Sequence, residues 1–136
     1  MIKYIVEQDA EKDVFPEPFA RTIKILAAPW TLGTKGVLLL TDEIQPRNSS
    51  NPHVHEDKEE VFFFISGKGR VRVDNEEIEV GPGYCVLVPM GSVHEVFNDE
   101  DSILRFVAVV SPPFTYEEFE LSHGKDGKTE VDRSQA

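Results

Sequence analysis

Short apolar runs recur every eight to twelve residues along the chain, and none carries the i, i+3, i+4 spacing of a helix. Gly36 to Pro46, "GVLLLTDEIQP", reads as a strand closed by proline. "EVFFFISGKGRVRVDNEEIEV" reads as strand, glycine turn, strand, Asp-Asn turn, strand; within it Val71 and Val73 alternate with Arg70 and Arg72, the period of a half-buried strand. "GPGYCVLVPMG" reads as a buried strand between two Gly/Pro breaks. "VHEVFN" and "SILRFVAVV" follow, joined by the acidic turn "NDEDS". This rhythm predicts an all-β sandwich or barrel of antiparallel strands.

The ends differ from the middle. Residues 1–35 mix prolines and aromatics in "FPEPF" and "AAPW", which suits edge strands or a contact with a partner. Residues 36–114 carry the strand rhythm. Residues 115–136 are polar and are expected to fray or lie loosely on the surface.

Composition adds bounds. A chain of 136 residues, 40% hydrophobic, holds one domain with a real core. The net charge of −11 argues against nucleic acid and anionic membrane surfaces as partners. One cysteine, Cys85, cannot form an internal disulfide, and no apolar run reaches signal-peptide or membrane-span length; the expected setting is cytoplasmic. In its strand, Cys85 reads as a small buried hydrophobe rather than a reactive thiol.

The candidate chemistry lies in the histidines: His53, His55, His94 and His123. On a strand, alternate side chains share a face, so His53 and His55 point the same way. That pair is either a solvated strand start or two imidazoles facing one ion. His123, in the polar tail, reads as solvated.

"HVHEDKEEVFFFISG" and "GYCVLVPMGSVHEVFN" together resemble the two motifs of the cupin superfamily, G-x5-HxH-x3,4-E-x6-G and G-x5-PxG-x2-H-x3-N. The first is matched from its histidine pair onward and the second at every fixed position. Arg47 stands where the first glycine belongs, which touches a turn and not the ligands. The resemblance implies a single-domain double-stranded β-helix, or jelly-roll barrel, of six to eight strands. It also implies a metal held by His53, His55, Glu60 and His94. Glu59 also falls in the allowed window, but the six residues separating Glu60 from Gly67 favour Glu60.

Three neutral imidazoles and one carboxylate would leave a divalent ion with one net positive charge and about two open positions. Iron, manganese, nickel, zinc and copper all suit these donors, whereas a closed thiolate zinc site or an all-oxygen calcium site does not. Phe62, Phe63, Phe64, Val96 and Phe106 are expected in the core, Asn98 at a turn, and Glu95 facing away from His94. The resemblance further implies a homodimer, with the segment around Trp30 as a contact. The expected function is metal-dependent catalysis on a small organic molecule, of dioxygenase, isomerase or decarboxylase type, with no acid or base assignable. The alternative is a non-catalytic module that binds a small, sugar-like ligand and keeps its metal for stability.

Overall fold

The structure is a computed structural model that describes residues 1–119. Alternation of apolar and polar residues produces two antiparallel sheets. The larger contains β1 (Lys12–Phe15), β2 (Arg21–Ala27), β3 (Leu38–Ile44), β6 (Glu59–Ser66), β9 (Cys85–Val88) and β11 (Leu104–Ser111), in the order β1-β2-β3-β11-β6-β9. The smaller contains β4 (Asn48–Ser49), β7 (Gly69–Val73), β8 (Glu76–Val80) and β10 (Val93–Asn98), in the order β4-β10-β7-β8, and β5 (His53–Val54) also pairs with β10. The strands are thus more numerous than expected, because the histidine segment contributes two-residue pieces. The sheets face each other as a jelly roll.

Every second residue of β11, from Leu104 through Phe106 and Ala108 to Val110, is buried, as are Ile23, Leu38, Ile44, Val71 and Val96. Phe62 and Phe64 pack on Phe106 with ring centroids 5.1 and 5.0 Å apart. Each such side chain contributes on the order of 1.5–3 kcal/mol by leaving water. Phe63 departs from the expected core: it lies on the opposite face of β6 and is 45% exposed. Cys85 is likewise exposed, not buried, because β9 is the edge of its sheet and its odd-numbered residues face outward.

Turns fix the register. Gly67 joins β6 to β7 at φ 85°, and a Cβ there would meet the Ile103 carbonyl oxygen at 2.4 Å. Arg47 adopts φ 64°, so it keeps the left-handed turn that the motif gives to glycine, and its guanidinium reaches Asp101 at 2.7 Å and the Asp99 carbonyl. Asn98 is fully buried and donates to the carbonyls of Ile44 (3.0 Å) and Ser102 (2.8 Å) while accepting from the Glu100 amide.

The segment after Phe114 does not begin loose. Thr115 and Glu118 form a reciprocal cap, Glu118 N–H to Thr115 Oγ1 at 3.0 Å and Thr115 N–H to Glu118 Oε1 at 2.9 Å, which starts the short helix α1 (Tyr116–Phe119). Phe119 is buried, and Trp30 packs edge-on against Tyr116 at 5.4 Å and beside Phe119 at 6.1 Å. Trp30 is therefore engaged within its own chain. His123 lies outside the described residues. Among the described residues, no helix is long and apolar enough to cross a membrane.

Candidate metal centre

Sheet pairing assembles the histidines. In the β5–β10 ladder His53 stands directly opposite His94, and His55 follows two residues later on the same side. Glu60 comes from β6, across the barrel mouth, with its side chain inward while Glu59 faces solvent. Ring centroids lie 5.9 Å apart for His53 and His94, 5.5 Å for His55 and His94, and 6.0 Å for His53 and His55.

Glu60 Oε1 sits 3.4 Å from His55 Nε2 and 3.3 Å from His94 Nε2. Ligand atoms bound about 2.1 Å from one ion lie about 3 to 3.4 Å from each other. These three residues each present a donor atom within 4.8 Å of the others. His53 stands beside this group rather than within it. Its Nδ1 bonds the Asn51 carbonyl at 2.7 Å, which fixes the ring.

The electrostatics suit a cation. Glu60 Oε1 is wholly buried and makes no hydrogen bond. A buried carboxylate oxygen without a partner is costly, and a divalent ion between it and the imidazoles would satisfy it. Burial, reinforced by the Arg21 charge and His94, pushes the His53 pKa down to about 3; burial also lowers that of His55. Both rings are therefore neutral near pH 7, the form that binds metal.

Beneath the cluster lies an interior cavity of about 30 Å³, walled by Phe62, Val96, Phe106 and Ala108, with Ser50 at its side. Two charged residues that sequence reasoning passed over also line it. Arg21 of β2 and Asp42 of β3 form a buried ion pair at 3.0 Å. Burial pushes the Asp42 pKa up to about 6 despite the guanidinium beside it. The available signal was charge at inward positions, since Arg21 shares its face with Ile23 and Ile25, and Asp42 shares its own with Leu40 and Ile44. Outside, His55 also lines a surface cleft of about 300 Å³ with Lys58, Phe114 and Glu118. Glu95 faces away from the cluster as expected, bonded to Ser49 Oγ at 2.7 Å.

Known proteins agree with this architecture. The Cupin domain family model matches residues 40–110, just over half of the chain. The uncharacterised protein MJ1618 of Methanocaldococcus jannaschii is 29% identical over 69 residues, covering 51% of this chain and 55% of that protein. The chain spans about half the length of the curated relatives it matches. Among solved structures, the polyketide cyclase RemF from Streptomyces resistomycificus superposes with a TM-score of 0.70 at 23% identity, over 95% of this chain and 98% of that one. A predicted oxalate decarboxylase from Thermotoga maritima gives 0.69 at 18% identity, over 82% and 98%. At these identities the structural likeness speaks for the fold, and together with the family match it shows that the chain belongs to the cupin family.

Proposed function

We propose that this protein is a metal-dependent enzyme acting on a small organic molecule. His53, His55, Glu60 and His94 hold one divalent transition ion, drawn from iron, manganese, nickel, zinc and copper. The observation that carries this reading is the buried, unbonded Glu60 Oε1 set 3.3 and 3.4 Å from two imidazole nitrogens. When bound, the ion supplies Lewis acidity or a site for oxygen. The chain's own part is to keep the imidazoles neutral, to fix His53 through Asn51, and to exclude bulk water with Phe62 and Phe114. His55 lines both the interior cavity and the outer cleft, and substrate approaches along that cleft.

The reaction belongs to the dioxygenase, isomerase or decarboxylase types. The alternative is a non-catalytic module that binds a small, sugar-like ligand and keeps its metal for stability; the cavity of about 30 Å³ is too small for a whole sugar and counts against it. Elemental analysis of protein purified without added metal, then oxygen uptake and substrate depletion across small hydroxy acids and phenols, separates the two. Turnover abolished by a chelator supports the enzyme; an ion without turnover and without any response to added ligands supports the alternative.

We infer a homodimer as well. The outer face of β6 and β9 exposes Phe63, Ile65 and Leu87 beside Cys85, an apolar face that a second copy would cover. A cytoplasmic setting fits an exposed free thiol.

A further inference from the structure

The Arg21–Asp42 pair asks for a reason. Nothing in the neighbouring apolar positions requires charge there, and a buried pair is on average no more stabilising than apolar residues of similar volume. A pair serving packing alone would have its remaining lone pairs satisfied. Asp42 does not: one carboxylate oxygen accepts from Arg21 Nη1 at 3.0 Å, while Oδ1 is wholly buried with no hydrogen bond. Asp42 is 3% exposed and lines the same cavity as His53, His55, Glu60 and His94. That cavity holds one or two water-sized groups, enough for a hydroxyl that enters from the cluster side.

We propose that Asp42, anchored by Arg21, is the hydrogen-bond acceptor for a hydroxyl on the molecule bound at the metal centre. The site then selects small oxygen anions that carry a hydroxyl, such as 2-hydroxycarboxylates, over anions that only accept hydrogen bonds. Charge supports the class. A divalent ion with Glu60, Arg21 and Asp42 leaves one net positive charge in the buried chamber, which a monoanion neutralises. Arg21 is a positioning residue: its bond to one oxygen of Asp42 leaves the other for the ligand. This inference rests on the metal reading above and extends it to the ligand.

The test uses the full chain loaded with cobalt(II), whose visible spectrum reports ligand binding, and two probes: glycolate, which carries a hydroxyl, and azide, which does not. Asp42→Asn should retain cobalt, bind glycolate about tenfold more weakly, and bind azide about tenfold more tightly, as expected when a charged acceptor is lost and its repulsion relieved. Arg21→Met should also retain cobalt and lose most of the preference for glycolate. Opposite signs for the two probes distinguish ligand contact from a packing role, which would weaken both together. Equal shifts, or none, would overturn the assignment of Asp42 and leave the metal centre standing. Loss of cobalt from both Asp42→Asn and Asp42→Ser would also overturn it, placing Asp42 in the support of the fold. Wild-type protein that takes up no cobalt would remove the metal reading and this inference with it.

Discussion

Glu60 and His94 come from different sheets, yet the carboxylate oxygen of one lies 3.3 Å from the imidazole Nε2 of the other. Both residues are buried, 7% and 4% exposed, so bulk water does little to screen the contact. The barrel mouth is thereby closed by groups with donor atoms for a cation, and the behaviour of the protein with and without an ion should follow from them.

The ligands should not be equivalent. His55, Glu60 and His94 already share a 4.8 Å cluster, whereas His53 stands at its side. Alanine at any of those three should abolish stoichiometric metal. His53→Ala should weaken binding by about 10- to 100-fold yet leave it measurable. Competition with a chromophoric chelator measures the order, and His53→Ala losing metal as completely as Glu60→Ala would remove the distinction.

The metal-free protein should lose stability in acid with a recognisable shape. Burial holds His53 near about 3 and His55 below the ordinary imidazole value. Below about pH 6.5 the unfolded chain therefore binds protons that the folded chain refuses. Their contribution is present above that pH and is lost as pH falls toward 3. Asp42, pushed up to about 6, has the opposite sign. The folded chain takes its proton first, so its contribution is complete below about 3.9 and is lost as pH rises through 6. Each group acts with a slope of up to about 1.4 kcal/mol per pH unit, and the two signs partly offset between about pH 4 and 6. Asp42→Asn should steepen the acid loss in that window, measured as urea midpoints at several pH values; a profile unchanged by the substitution would contradict the sign.

Gly67→Ala should be among the most damaging single-methyl changes, costing about 2 kcal/mol or more. The added carbon would face the Ile103 carbonyl oxygen at 2.4 Å from a backbone already at φ 85°, and neither backbone gives way cheaply. Thermal unfolding checks it, and a loss below about 0.5 kcal/mol would show that the turn relaxes.

Much of this was legible in the chain, for physical reasons that also mark where legibility stops. Period-two alternation predicts which face of β7 is buried, and the spacing to Gly67 distinguishes Glu60 from Glu59. A run such as Phe62-Phe63-Phe64 carries no alternation, so only pairing with β9 and β11 reveals that Phe63 faces out. Cys85 is exposed for the same kind of reason, since edge position is a property of topology. Arg47 hid its turn because a non-glycine residue at positive φ leaves no composition signal. Thr115 and Glu118 did carry a readable capping pattern, outweighed by the polar composition around them. Arg21 and Asp42 lie on different strands, and only the β2–β3 pairing brings them together.

The apolar outer face should hold two copies together. Phe63→Glu combined with Leu87→Glu would place like charges on a chain already at −11 and should convert a dimer to a monomer in sedimentation, with metal content preserved because both side chains point away from the cluster. A mass unchanged by the double substitution would move the interface elsewhere.

Metal content per chain after purification without added metal is the decisive measurement. Close to one divalent transition ion is expected in the wild type, removed by a strong chelator, restored on readdition, and absent from Glu60→Ala and His94→Ala proteins that remain folded. Full metal content in Glu60→Ala and His94→Ala, or a wild type that stays metal-free even when the ions are supplied, would contradict the metal centre.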